Sequence, residues 1–349
     1  MLDNSWFKKE RPMLSMLGFG GGSNSTFIGG IPIPPAPTWS ATGGNATYPS
    51  VNISGVNYKI HKFTSPGNFV ITPGSGAYDV IVIAGGGSGG VDNGGGGGAG
   101  GVVDATVPSA VAVNGTWAVS VGAGGAARPG PSDNGSGYKG SNSTFAVTPT
   151  ITLTAAGGGA GSGWSAGANG GEAAPGGSGG GNACSPGSNN PIGPGSATQP
   201  GSNPSPWATD LGNAGGQAFT TSGSNAYGGG GGGAGGAGLQ GGTGYAGYGG
   251  LGYLTNGKYG TNPTGLDEYP SGRIAGGGTG GFDAGNGTSA PPALNTSPNP
   301  HNGVTKQTTI PAAETSCANK TGGGGHGANH DNNTSGGGGS GVVIVRYVA

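Results

Sequence analysis

Charge is scarce in this chain. Lys and Arg number 12 and Asp and Glu 13 in 349 residues, a formal balance of −1. At 7% of residues against a usual 25% or so, this leaves no basic stripe for nucleic acid or an anionic membrane. The two cysteines, Cys184 and Cys317, are too few for a disulfide framework, and whether they pair is left open by their spacing. No run approaches the 18 or so apolar residues of a membrane helix, so no membrane insertion is expected. Four histidines and scattered carboxylates supply no nucleophile, base and orienting partner, so neither an enzyme nor a cofactor is expected.

What fills the space is glycine, at 91 positions, with 26 prolines. Both residues oppose the α-helix, and near-absence of helix follows. Collagen requires Gly at every third position. Residues 94–101 read GGGGGAGG, and the prolines sit mostly outside the glycine runs, so that fold fails on its period.

Three regimes separate along the chain. Residues 1–19 hold Trp6, Phe7, Met13, Leu14 and Leu17 with a few basic residues, and read as an attachment arm; residues 20–56, with IPIPPAP at 31–37, read as a stiff Gly/Pro-rich spacer. Strand signals follow over 57–155: YKIHKF, NFVIT, YDVIVIA, VVDATV, TWAVSV and TPTITLTA are rich in Val, Ile and Thr and punctuated by PG, SG, NG and GG. The segment VVIVRYV at 342–348 is of the same kind and is expected to return and pair with them, so 57–155 and 342–349 form a β-rich base. Residues 156–341 carry one repeated element, the glycine run, which resembles the runs at 85–90 and 94–101 that are joined directly to strands.

A glycine run can adopt the polyproline II helix, with three residues per turn, about 3.1 Å rise and no internal hydrogen bonds. Its N–H and C=O groups point sideways and, once buried, need partners on neighbouring helices. A helix surrounded on every side admits only glycine, for the reason that fixes glycine at the collagen axis. Residues 94–101 would span about 25 Å. Ala99, Ser178 and Ala234 are then expected to mark outward-facing positions. The fold class that follows is all-β and irregular: a small β-sheet or sandwich plus packed polyglycine II helices.

The series FTSPGNFVITPGSGAYDVIVIAGGGSGG (63–90), GGGGGAGGVV (94–103), VSVGAGG (119–125), GSNSTF (140–145), LTAAGGG (153–159), YGGGGGGAGGAG (227–238) and GGGGSGVVIVRY (336–347) resembles the glycine-rich domain of bacteriophage tail-fibre proteins. It is similar in architecture to the phage adhesins built as a polyglycine II sandwich, over roughly residues 57–349. The resemblance implies a virion structural protein on the outside of the particle. Its tail-fibre tip would bind a host surface glycan or outer-membrane protein through loops between glycine helices, without catalysis. It further implies attachment to other virion proteins through the N-terminal arm and admits a homo-oligomer such as a trimer. The alternative is a capsid-surface fibre or decoration protein with no receptor.

Local motifs compete with this reading. Gly85, Gly87 and Gly90 after a strand, with Asp104 further on, have dinucleotide-binding spacing, but VDNGGGGGAGG cannot supply the helix that holds the pyrophosphate. GYLTNGK at 252–258 imitates a phosphate loop, with Tyr259 where Ser or Thr would ligate magnesium. His326 and His330 in HGANHD have metal-ligand spacing without a helix to make them converge, so no metal site is assigned. The tyrosines between glycine runs suit a contact surface. Tyr245, Tyr248, Tyr253, Tyr259 and Tyr269 are the candidate receptor-binding residues. Counting runs back from the C-terminus, 322–325 climbs away from the strands and 276–281 descends, which puts 239–275 at the remote end. A slip of one run would exchange that segment with 182–226.

Overall fold

The computed structural model describes residues 27–28, 31–32 and 35–349 apart from 113, 131–134, 165–172, 184–192, 200, 202, 204–206, 221–225, 244, 261–272, 283–320 and 330–333. The chain divides into two compact units, Met1–Pro35 and Ala36–Ala349. In the first, β1 (Phe27–Ile28) pairs antiparallel with β2 (Ile31–Pro32). The arm residues Trp6, Phe7, Met13, Leu14 and Leu17 lie outside the described residues.

The second unit opens with β3 (Ala41–Thr42), β4 (Ala46–Ile53), β5 (Val56–Phe63), β6 (Gly67–Ile71), β7 (Tyr78–Ile83), β8 (Val102–Val107), β9 (Gly115–Ser120), β10 (Ser143–Ala146) and β11 (Thr152–Ala155). It continues with β12 (Ala208–Leu211), β13 (Phe219–Thr220), β14 (Ala226–Tyr227), β15 (Tyr253–Leu254), β16 (Arg273–Ile274) and β17 (Val342–Val348). No helix occurs among the described residues. One sheet runs β12-β8-β7-β17-β5-β4 and the other β11-β10-β9-β6-β3. Every pairing in them is antiparallel. The C-terminal strand β17 does return, lying between β5 and β7 at the centre of the six-stranded sheet. Residues 41–53, read from sequence as spacer, instead supply β3 and β4. The alternating apolar residues Tyr48, Val51 and Ile53 give β4 a face to lay on the second core.

Period-two alternation explains why the six-stranded sheet is buried on both faces. Val343, Val345 and Tyr347 of β17, with Val80 and Val82 of β7, face the five-stranded sheet and pack with Phe69, Phe145 and Leu153. Val342 and Ile344, with Ile81 and Ile83, point the other way into a second core with Val102, Tyr259 and Ile274. The cover on that second face comes from β15, β16 and the turn after β15.

From the strand ends the glycine runs leave as polyglycine II helices, and their hydrogen bonds have a period of three. Gly94, Gly97 and Gly100 donate to Ala328, Gly325 and Gly322; Gly95, Gly98 and Gly101 donate to Ser162, Gly159 and Ala156; Gly96 and Ala99 donate to Gly229 and Gly232. These bonds measure 2.8–3.0 Å, and one helix thereby holds two antiparallel neighbours and one parallel neighbour. The run 85–90 repeats the pattern with 138–141, 336–339 and 95–98. Each bond contributes about 0.5–1.5 kcal/mol net and together they offset the ordering cost of glycine.

The expectation for the non-glycine positions needs correcting. Ala99 and Ala234 are buried in the second core, and Ser178 is also fully buried. The two alanines lie where the helix passes side chains of the sheet rather than another backbone, which leaves room for a methyl group. Buried serines stand where a lattice carbonyl is missing: Ser88 Oγ accepts the Tyr138 amide at 2.7 Å and Ser162 Oγ the Ala183 amide at 2.5 Å. The outward positions are on edge runs, with Ala123, Ala126 and Pro129 exposed at every third residue.

Candidate functional site

The bond pattern gives each run a direction and defines two ends of the lattice. At the strand end, Ala84 donates to Gly101 and Ala275 to Thr321. At the remote end, the chain turns through Val91, Asp92 and Asn93, the last two in the left-handed region at φ 58° and 55°. Around that turn gather Trp164, whose amide donates to Val91 at 3.1 Å, and the hairpin β13–β14. Tyr227 bridges to Phe282, and the tight turn Gly242–Tyr245 lies beside them. Arg128 joins three runs there: its amide donates to Ser335 Oγ at 3.0 Å, its carbonyl accepts from Ser335, and its guanidinium donates to the Ser136 carbonyl at 2.8 Å. The guanidinium also lies 5.3 Å from the exposed ring of Tyr138.

His326 is packed inside the lattice near this end. Its Nδ1 meets the Thr279 hydroxyl and its Nε2 is buried without a hydrogen-bond partner. Burial lowers its pKa to about 4. His330, the other half of the H-x3-H pair, lies outside the described residues, as do Cys184 and Cys317.

The tyrosines separate into three fates. Tyr245 is half-buried in the turn at the remote end. Tyr248 is within a glycine run, its carbonyl accepting from Leu239, with 8% of its surface exposed. Tyr253 and Tyr259 are at the strand end, on the outer face of the six-stranded sheet, and Tyr259 is fully buried. Tyr269 lies outside the described residues.

The remote placement of the whole segment 239–275 is thus overturned, because 276–281 climbs rather than descends. Gly324 donates to Gly276 and Gly327 to Thr279, so this run is parallel to 322–328. A parallel neighbour breaks a count that alternates direction. In addition, the interrupted glycine stretches 236–241 and 246–252 are lattice runs in their own right, with Leu239, Gln240, Tyr248 and Leu251 among them. The hairpin β13–β14, within the alternative segment 182–226 and one residue past it, does reach the remote end.

A polar cluster that sequence reasoning missed fills the space under Tyr253 and Tyr259. Asp104 Oδ1 accepts from Lys258 Nζ at 2.8 Å and from the Tyr259 hydroxyl at 2.5 Å, and its Oδ2 accepts from the Tyr253 hydroxyl at 2.9 Å. Asp79 Oδ2 accepts from Arg346 Nε at 2.9 Å and its Oδ1 from Thr106 Oγ1 at 2.6 Å, while Lys258 Nζ is 3.5 Å from Asp79 Oδ1. Arg346 also donates to the Lys258 carbonyl and lies 4.3 Å from the Tyr58 ring centre. Burial first, then the Asp104 charge, raises the hydroxyl pKa of both Tyr253 and Tyr259, so both remain donors. The residues that imitate a dinucleotide fingerprint and a phosphate loop, Asp104 and Lys258, are in fact partners of each other. Their meeting was hidden by 154 residues of separation.

The fold and its two ends define a class: an all-β sandwich prolonged by a lattice of polyglycine II helices. The chain belongs to the glycine-rich domain family, which it matches over residues 64–348. No curated protein matches it.

Proposed function

We propose that the protein is a bacteriophage virion component, the adhesin at the tip of a tail fibre, exposed on the particle and joined to other virion proteins through residues 1–19. It engages a host surface glycan or outer-membrane protein through the loops at the remote end of the lattice. The observation that supports this reading is the division of labour in the lattice. Its order rests on backbone bonds of period three, so the turns that join the runs carry little of that order and can differ in sequence outside positions such as Asp92 and Asn93, whose left-handed backbone favours Asn, Asp or Gly. A scaffold of that kind holds variable loops rigidly and far from the base, which is what a receptor-binding tip requires.

Within this reading the contact surface comprises the turn 91–93, the hairpin β13–β14 and the turn at Tyr245; Tyr248, Tyr253 and Tyr259 hold the scaffold. Antibodies raised against the whole protein test it. They are expected to decorate the tail ends of phage particles in electron micrographs and to block adsorption. Labelling confined to the head, with adsorption unaffected, favours the capsid decoration protein instead.

A further inference from the structure

We propose that Lys258 and Asp104 condense to an isopeptide bond that fastens the glycine lattice to the β-sandwich. Lys258 Nζ lies 2.8 Å from Asp104 Oδ1 and 3.5 Å from Asp79 Oδ1, so the amine is held between a carboxyl to attack and a second carboxylate to move its protons. Side-chain exposures of 8% for Asp104, 17% for Asp79 and 28% for Lys258 limit the access of water that would favour hydrolysis. Two phenols converge on the electrophile: Tyr259 donates to Oδ1 at 2.5 Å and Tyr253 to Oδ2 at 2.9 Å. Their donors face the oxygens on which negative charge grows in a tetrahedral adduct. A partly exposed ion pair contributes little by itself, whereas the second carboxylate and the two phenols are the groups a condensation needs.

The step balances without any co-reactant. The Lys258 ammonium passes one proton across its 2.8 Å contact to Asp104 Oδ1, so that the freed lone pair on Nζ adds to the Cγ of a carboxylic acid rather than of a carboxylate. Asp79, 3.5 Å from Nζ and held in place by Arg346, takes a proton from the nitrogen of the adduct and returns it to the Asp104 hydroxyl. The Cγ–O bond to that hydroxyl then breaks, the remaining oxygen reforms the carbonyl, and water leaves. Ammonium plus carboxylate thus become amide plus water, with no change of net charge. Fixed proximity accelerates such an attack, and well-oriented intramolecular reactions reach effective concentrations of about 10⁵–10⁸ M.

Geometry also says what the bond is for. Asp104 is on β8, and Lys258 follows the glycine run 246–252 and the strand β15, so the crosslink spans the junction of sandwich and lattice.

Mass spectrometry of the purified full-length chain tests this. The intact mass is expected to fall short of the sequence mass by one water, and digestion after denaturation to give one branched peptide containing residues 104 and 258. Lys258→Arg and Asp104→Ala are expected to restore the full sequence mass. Asp79→Asn, followed from fresh synthesis, is expected to slow bond formation about a hundredfold or more. A full sequence mass for the folded wild-type chain overturns the proposal. So does a missing water accompanied by linear peptides at both positions, which would place the dehydration elsewhere.

Discussion

The carbonyl oxygen of Gly97 lies 1.9 Å from the point a Cβ on Gly231 would occupy. Both residues belong to runs enclosed by other backbones, and neither has freedom to retreat, since the Gly97 carbonyl accepts from the Gly278 amide at 2.9 Å and the Gly231 amide donates to the Gly278 carbonyl at 2.8 Å. Gly231→Ala is therefore expected to prevent folding, because the shift it forces breaks several lattice bonds at about 1 kcal/mol each against a total stability of about 5–15 kcal/mol. Ala126→Ser on an exposed edge run is expected to stay within about 0.5 kcal/mol of the parent. Soluble yield and urea denaturation check the pair; equal tolerance at both positions rejects a lattice whose interior excludes side chains.

Most strands of 57–155, the strand at 342–348 and the uninterrupted glycine runs were legible because each follows a local rule, whereas β3 and β4 were read as spacer. VVIVRYV shows a pleated strand apolar on both faces, and GGGGGAGG shows a helix with no room for side chains. Which run lies beside which was not legible, because glycine carries no side chain to specify a neighbour. Runs such as 236–241 escaped for the opposite reason: with Leu239 44% exposed at the lattice edge, a side chain is tolerated there and the glycine signal fades. The latch under Tyr259 depends on Asp79, Asp104, Lys258 and Arg346 meeting across the fold. Nothing in the spacing of four ordinary charged residues announces that.

Tyr259→Phe is expected to lower stability while keeping the fold. The ring fills the second core in either case, but the buried Asp104 carboxyl loses its 2.5 Å donor. Measured in the Lys258→Arg background, where Asp104 keeps its carboxylate, a hydrogen bond to a charged group is worth about 1.5–3 kcal/mol. The midpoint of chemical denaturation should fall accordingly, with an unchanged slope. No change would mean that the latch does not hold the covering segment to the sheet.

Acid should weaken the protein through its buried histidines. His326 has its pKa lowered to about 4 by burial, and that of His61 is lowered too, first by burial and then by Lys59, against a raising bond to the Gly43 carbonyl. Between about pH 6.5 and 4 the unfolded chain binds more protons than the folded one, so stability is fully present above pH 6.5 and is lost as pH falls. The His326 shift alone corresponds to about 3 kcal/mol. Denaturation at pH 7.5 and 4.5 measures the loss, and His326→Gln should reduce the difference between the two. Stability that rises on acidification would contradict the buried neutral ring.

Within the proposed adhesin reading, adsorption should depend on Tyr245 and hardly at all on salt. Among the described candidate tyrosines, Tyr245 is the one that the lattice brings to the remote end: Gly247 donates to Gly228, Gly228 to Gly281 and Gly281 to Gly94, next to the turn at Asn93. A half-buried aromatic held by a tight turn provides contact area at little entropic cost. Tyr245→Ala is therefore expected to reduce adsorption about tenfold or more, the effect of losing roughly 1.4 kcal/mol at a binding surface. Tyr253→Ala should instead destabilise the protein and leave the adsorption of whatever folds unchanged. With 25 charged residues in the whole chain, raising ionic strength beyond the physiological range should alter the rate little. Phage carrying each variant, counted after binding to host cells across a salt series, decides the matter: a steep salt dependence, or equal adsorption by Tyr245→Ala and parent, would move recognition away from this end of the lattice.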